Sequence, residues 1–205
     1  SKSVVWNIAQ KEIVPVLEVS TFLYDGQPKT VVVNLQTLVA GDVVQPVLSG
    51  TATSTAAGTY VVSVTGLSGA NGGNYRLATV PTNLSWTISN ASIAISVHGF
   101  EGTYDMSEHP AYVTATAVAG VPTIYYADVP LNDGNYSTVG STTVRSFTDA
   151  GVYTTYYYVV APSCDPESGA ILTKIDKKPI GTAIVTLGNV LTYNGTLQYQ
   201  GIESV

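Results

Sequence analysis

The sequence contains very little cysteine and few charged residues. One cysteine, Cys164, stands among 205 residues, which excludes an internal disulfide framework and a cysteine-rich metal site. Asp, Glu, Lys and Arg together make up 11% of the chain, against about a quarter in an average soluble domain. The surface must therefore be built from uncharged polar residues, and packing must stabilise the fold.

Clusters of basic residues and long apolar runs are also missing. Fourteen Asp and Glu residues outnumber eight Lys and Arg residues, and the net charge is -6. We therefore expect no nucleic-acid partner, because phosphate binding requires clustered basic side chains. No segment approaches the roughly 20 continuous apolar residues of a membrane span, so we expect no membrane insertion in this fragment.

Helical periodicity is hard to find, because Gly, Pro and β-branched residues are scattered through every window of a dozen residues. The sequence therefore predicts an all-β chain of short strands that form sandwiches. The predicted strands are 12–19, 29–36, 42–50, 58–66, 74–79, 83–90, 92–99, 111–118, 122–129, 141–148, 151–160 and 169–176. Residues 1–10, "SKSVVWNIAQ", also read as a strand.

The alternation of apolar and polar residues indicates which side chains are buried. In "GTYVVSVTG", residues Tyr60, Val62 and Val64 share one face, and in "LSWTIS" the shared face carries Leu84, Trp86 and Ile88. We expect these faces to form the core.

A short motif occurs three times: "YDG" at Tyr24, "YDM" at Tyr104 and "YNG" at Tyr193, at intervals of 80 and 89 residues. These intervals are the length of a small domain. The sequence therefore predicts tandem domains at residues 1–91 and 92–178, with residues 179–205 as a partial third repeat. Trp6 and Trp86 both precede their tyrosine by 18 residues, whereas Lys174 stands near the corresponding place in the third junction.

The predicted junctions "SNA" and "DKKP" contain no flexible spacer. Connectors of two to four residues cannot act as a flexible coil, so we expect the domains to form a rod with separately closed interiors and stiff boundaries.

Asp-Gly and Asn-Gly tolerate the positive φ of a tight turn, and their side chains can bond to the local backbone. We expect tight turns at Asp25-Gly26 and Asn194-Gly195, each after a tyrosine whose ring lies in the core. Met106 replaces glycine in the second copy, so we expect a turn of another type or a longer one there.

The series "YDG", "AAGTY", "NYRL" and "LSWTISNA" resembles the MBG and YDG repeat families of bacterial surface proteins. The resemblance covers residues 12–91, extends more loosely over 92–178 and includes the start of a third copy. It implies immunoglobulin-like β-sandwiches in a secreted or surface protein, anchored to the wall or membrane through regions outside this fragment. It also implies a non-catalytic structural stalk or adhesion module whose neighbours are further repeats of the same chain.

Tyrosine suggests a second function. Nine of the fourteen tyrosines lie in 92–178, and adjacent strand residues point to opposite faces, so one member of each pair should be exposed. Exposed tyrosines near carboxylates are typical of glycan-binding surfaces. The alternative function is therefore a carbohydrate-binding module for host or cell-wall glycan, using Tyr125, Tyr126, Tyr156 and Tyr158; a surface protein is a further candidate partner.

No catalytic group stands out, and we expect no enzyme and no cofactor. His98 and His109 lie near Asp105 and Glu108 in the sequence, which suggests a metal site or acid/base chemistry. "SEHP" is explained more simply as a polar turn that Pro110 closes. Calcium is the one metal to consider, because "LNDGN" places Asn132, Asp133 and Asn135 in one loop, although no run of acids supplies six to eight oxygens.

Overall fold

The structure is a computed structural model that describes residues 4–79, 82–181, 186–187, 190–199 and 202–204. Strands dominate these ranges, and the only α-helix in them is the four-residue α1 (Tyr136–Val139). The prediction of an all-β chain is confirmed. Within the same ranges no helix is long and apolar enough to cross a membrane. Much of the predicted third repeat, including residues 182–185 and 188–189, lies outside the described residues.

Residues 1–91, here called the first repeat, form two main sheets. One has the order β4-β1-β8 and the other the order β2-β9-β7-β5, while β3 and β6 pair separately. The strands are β1 (Lys11–Leu17), β2 (Thr21–Leu23), β3 (Lys29–Thr30), β4 (Val33–Gln36), β5 (Gln45–Gly50), β6 (Thr53–Ser54), β7 (Gly58–Ser68), β8 (Tyr75–Leu77) and β9 (Asn83–Ser89).

Residues 92–178, here called the second repeat, also form two sheets. Their orders are β10-β12-β14 and β11-β16-β15-β13. The strands are β10 (Ala94–His98), β11 (Glu101–Thr103), β12 (His109–Thr116), β13 (Thr123–Ala127), β14 (Arg145–Phe147), β15 (Gly151–Val160) and β16 (Glu167–Asp176). Beyond them, β17 (Thr186–Leu187) pairs with β18 (Ile202–Ser204).

The two repeats share a pattern of strand pairing. The short strand β2 runs parallel to β9, and β11 runs parallel to β16 in the same way. In each repeat the last strand then pairs antiparallel with β7 or β15, which pairs antiparallel with β5 or β13. Each ladder between named strands in the described ranges joins strands on the same side of Ala91.

The predicted core faces are confirmed at four of six positions. Val62 and Val64 are buried, as are Trp86 and Ile88, and Trp86 is only 1% exposed. Tyr60 and Leu84 on the same faces are half-buried. The Trp86 ring lies 4.9 Å from that of Tyr60, and its Nε1–H donates a hydrogen bond of 2.8 Å to the Thr51 carbonyl. Trp86 thus anchors the first repeat by packing and by a satisfied polar tip.

The second repeat fills the same place differently. The parallel ladders align Thr87 with Lys174, so the counterpart of Trp86 is the fully buried Thr173, the residue next to Lys174. Tyr153, the counterpart of Tyr60, stacks on Phe147 with ring centroids 4.1 Å apart. The Phe147 ring of β14 therefore packs on Tyr153, as the Trp86 ring packs on Tyr60 in the first repeat.

Residues 4–10 contain no strand, so the strand predicted there is wrong for the described part of that segment. Trp6 is 86% exposed, and Val5 and Ile8 are exposed with it. The alternation of this segment matches that of β9, but the segment pairs with no sheet strand that could cover its apolar face.

The apolar interior is continuous across the predicted boundary. One buried cluster contains Trp86 and Ile88 of the first repeat together with Ile93 and Val113 of the second, and Ala91 lies between them. The expectation of separately closed interiors is therefore wrong. The sheets remain separate, but buried apolar residues of both repeats pack into one cluster at the boundary.

Trp86→Ala should lower the free energy of unfolding by about 3–5 kcal/mol, since it leaves a large cavity and an unpaired carbonyl. Trp6→Ala is the matched control, and the exposure of Trp6 predicts a change within about 0.5 kcal/mol. Urea unfolding followed by circular dichroism measures both. Equal losses from the two substitutions would contradict the described burial.

Candidate functional site

The repeated motif forms the same turn in all three copies. The side-chain oxygen of Asp25, Asp105 or Asn194 accepts a hydrogen bond from the backbone N–H two residues on, over 2.9, 2.9 and 3.1 Å. The intervening residue has a positive φ, which is +78° at Gly26, +69° at Met106 and +80° at Gly195. The local side-chain bond thus fixes a left-handed residue at one position of each repeat.

The expectation of a different turn at Met106 is wrong. A non-glycine residue at positive φ costs roughly 1–2 kcal/mol, and the bond to Asp105 together with the strand contacts on either side offsets that cost. The preceding tyrosine is fixed in the same way in both repeats: the Tyr24 N–H donates to the Ser89 carbonyl over 2.9 Å, and the Tyr104 N–H donates to the Asp176 carbonyl over 2.8 Å. Tyr24 is buried and Tyr104 is half-buried, whereas Tyr193 is exposed.

A side-chain contact braces each of the first two turns. Lys29 Nζ lies 2.5 Å from Asp25 Oδ2, and His109 Nε2 lies 3.0 Å from Asp105 Oδ1. The Lys29 hydrogen bond is the largest cause that lowers the pKa of Asp25, while the Ser107 backbone N–H is the largest cause that lowers the pKa of Asp105. Both carboxylates therefore remain ionised, as acceptors, well into the acid range.

The first turn contacts the second repeat. A Cβ at Gly26 would lie 2.7 Å from the Cβ of Ala119, so this close approach requires glycine. Nearby, the Ala57 N–H donates a hydrogen bond of 3.0 Å to Ser163 Oγ, and Asn90 Nδ2 donates one of 2.9 Å to Asp165 Oδ1. We call these contacts the junction; they join the end of the first repeat to two loops of the second.

The four tyrosines predicted to bind glycan do not form an exposed strip. Tyr126 and Tyr158 are buried, and Tyr125 and Tyr156 are half-buried. The expectation that one member of each adjacent pair is exposed is therefore wrong. Tyr126 faces the interior, where its hydroxyl accepts a hydrogen bond of 3.0 Å from the Val113 N–H.

Tyr158 is buried because the loop 128–144 covers the outer face of its sheet. Leu131 and Ala127 are buried beside it, and Tyr136 of α1 stacks on its ring at 4.9 Å. Its hydroxyl donates to the carboxylate of Asp133. Burial, followed by this hydrogen bond, raises the pKa of Tyr158 to about 12.

The candidate calcium oxygens already accept hydrogen bonds from the protein. Asn132 Oδ1 accepts from the Gly134 N–H and Asn135 Oδ1 from the Asn132 N–H, each over 2.8 Å, while Asp133 Oδ1 accepts from Tyr158. The two asparagine oxygens close the loop on itself, and Asp133 holds it to β15. Across the described ranges, no three His, Cys, Asp or Glu side chains are grouped so as to hold a metal ion.

The two histidines lie apart in separate aromatic contacts. His98 stacks on Tyr112 at 4.5 Å and His109 on Phe100 at 3.4 Å. Cys164 is buried, and its backbone forms a bridge to Ala91 near the junction. His109 therefore packs against an aromatic ring, and Cys164 is part of the buried contact between the repeats.

Comparison with known proteins gives no matching family model, and no curated protein sequence matches the chain significantly.

Tyr158 should ionise near pH 12 rather than near 10. Because its folded pKa is raised, the neutral phenol adds stability below about pH 10, and this contribution is lost as the pH rises towards 12. The difference in phenolate absorbance between the unmodified chain and Tyr158→Phe measures the midpoint. Asp133→Asn should lower that midpoint. A difference curve centred near 10 in the unmodified chain would contradict the described contact.

Proposed function

We propose that the chain is a segment of a non-catalytic structural stalk or adhesion module, built from tandem immunoglobulin-like β-sandwiches of the MBG/YDG type. The observation that carries the proposal is the junction, where a recurring turn of the first repeat meets two loops of the second. We further propose a secreted or cell-surface location in a bacterium, with anchoring through regions outside this fragment. The low charge and the single cysteine support an exported β-rich module.

The strand pairing supports the immunoglobulin-like assignment. In such sandwiches the strands near the C-terminus pair with a central strand in one sheet, and a tyrosine close to the start of the penultimate strand bonds back to the backbone. The Tyr60 hydroxyl donates a hydrogen bond of 2.7 Å to the Ala56 carbonyl, and the Tyr153 hydroxyl donates one of 3.0 Å to the Asp149 carbonyl. Both tyrosines lie near the start of β7 or β15 and reach four residues back along the chain.

The junction supports a stiff connection. A stalk transmits load and keeps its length only if adjacent repeats do not rotate freely. The Gly26–Ala119 approach and the Ala57–Ser163 and Asn90–Asp165 hydrogen bonds restrain the two repeats at separate points. The continuous buried cluster adds apolar contact between these points. Together these contacts favour a rod-like array.

Gly26→Ala should loosen the junction as well as strain the turn. Gly41→Ala is the matched control, because Gly41 also has a positive φ, of +92°, but nothing lies within 4 Å of an added Cβ. In residual dipolar coupling measurements, the unmodified chain and Gly41→Ala should fit one alignment tensor for both repeats. Gly26→Ala should need two, and adding Ala119→Gly should restore one. Independent tensors in the unmodified chain would contradict a stiff stalk.

Glycan binding is the second candidate function. Tyr125 and Tyr136 pack edge to face at 5.0 Å, and both rings remain partly accessible. Tyr136 also stacks on Tyr158, whose hydroxyl bonds to the Asp133 carboxylate. Aromatic faces next to a carboxylate are suited to sugar rings and their hydroxyls. The site would be smaller than the strip expected from sequence, because Tyr126 and Tyr158 are buried.

A glycan array tests this second function. If it holds, the chain should give a signal that Tyr125→Ala or Tyr136→Ala reduces at least about tenfold, while Tyr199→Ala, a substitution of an exposed tyrosine elsewhere, should leave it unchanged. An array with no signal would contradict glycan binding and leave the stalk proposal intact.

A further inference from the structure

An open apolar cleft lies at the far end of the second repeat. Its volume is about 530 Å³, and it is lined by Tyr104, Ala150 and residues Lys177 to Ile180. We call it the docking cleft. Tyr104 belongs to the repeated turn, and Ala150 precedes β15, so the cleft occupies the end of the repeat from which the chain continues.

The lining of the docking cleft corresponds to the junction residue by residue. The Tyr24 and Tyr104 backbones bond to Ser89 and Asp176 in the same way, which makes Asn90 the counterpart of Lys177. The sequences "AAGTY" and "DAGVY" likewise make Ala57 the counterpart of Ala150. In the first repeat, the loops that carry Ala119 and Ser163 contact this end of the repeat. In the second repeat, the corresponding residues line the docking cleft.

The segment leaving the docking cleft has the features of a further repeat. Ile180 is the counterpart of Ile93, which is 4% exposed, yet Ile180 is 97% exposed. Asn194 then forms the same side-chain-to-backbone turn, with Gly195 at the same positive φ as Gly26. The apolar residue that is buried just before β10 in the second repeat thus has an uncovered counterpart at Ile180.

We propose that the docking cleft is the binding surface for a third repeat of the same chain, which begins at Pro179 and seats two of its loops there. The inference rests on the proposed tandem array and adds the surface and the partner. The loops correspond to those carrying Ala119 and Ser163 in the second repeat. The bound loop supplies a hydroxyl or similar oxygen that accepts a hydrogen bond from the Ala150 N–H, as Ser163 Oγ accepts one from the Ala57 N–H.

A polar contact accompanies the apolar one. A side chain just before the first strand of each repeat donates a hydrogen bond to a loop of that repeat. Gln10 Nε2 donates one of 2.9 Å to the Gly73 carbonyl, and Asn90 Nδ2 donates one of 2.9 Å to Asp165 Oδ1. Lys177 occupies the corresponding place before the third repeat. Its ammonium can donate only, so its partner in the third repeat must be an acceptor oxygen.

Met106 makes the second junction differ from the first. It occupies the place of Gly26, where a Cβ lies 2.7 Å from that of Ala119, and its own side chain is 75% exposed. A third repeat therefore seats either with a smaller residue at the Ala119 position or with a small displacement. Methionine suits such a contact, because its flexible side chain adapts to irregular surfaces.

The test compares the 205-residue chain with a three-repeat chain in which a second copy of residues 92–178 replaces residues 179–205. Amide hydrogen exchange at Ala150 is the readout, and Ala57 in the same molecule is the reference. Exchange at Ala150 should slow by about tenfold in the three-repeat chain, because its N–H gains a hydroxyl acceptor. Adding Met106→Gly should slow it further, since the appended copy carries alanine at the position that meets residue 106.

Two matched variants identify the contact. Ser163→Ala in the appended copy should return Ala150 to the rate of the 205-residue chain, while Ser163→Ala in the original copy should accelerate Ala57 alone. Protection of the appended β15 strand shows that the third repeat has folded. If it has folded and Ala150 exchange is unchanged with or without Met106→Gly, the docking cleft is wrong and the tandem array survives. An appended repeat that does not fold would contradict both proposals.

Discussion

The organisation of this chain depends on one local constraint, the turn in which an Asp or Asn side chain accepts a backbone N–H two residues on. That bond holds the middle residue at positive φ and ends the preceding strand at a fixed place. Because the turn lies at the end of a repeat, it also determines how near the next repeat can come. Glycine at residue 26 allows contact with Ala119, and the neighbouring hydrogen bonds form at that separation.

The two repeats preserve backbone pairing more faithfully than core side chains. Trp86 becomes Thr173 in the second repeat, where Phe147 stacks on Tyr153 and fills part of the space. The Thr173 hydroxyl is buried without a hydrogen-bond partner, which is an unfavourable arrangement that the surrounding ladders tolerate. Parallel pairing of a short strand with the last strand is retained in both. Backbone hydrogen bonds therefore define the repeat, and its core is repacked around them.

Much of the fold could be predicted from sequence because alternation is local. Val62, Val64 and Trp86 are buried as their spacing predicts. Burial on the opposite face of a strand depends on what covers that face, and alternation does not reveal the cover. The sequence therefore wrongly predicts an exposed Tyr158. Leu131 and Tyr136 in the covering loop were the available signal, since apolar and aromatic residues in a predicted loop indicate packing. Trp6 shows the reverse case, in which a core-like pattern has no sheet to pack against.

The covered face of the second repeat bears on which function the chain performs. For Tyr158 to contact a sugar, the loop 128–144 would have to lift, which exposes Leu131 and separates the Tyr158 hydroxyl from Asp133. A binding partner would need to compensate both losses before it gained affinity. The junction carries no such cost, because its contacts are already formed between the two repeats. The balance of these terms supports the proposed stalk over the proposed glycan binding, which could use only the partly accessible rings of Tyr125 and Tyr136.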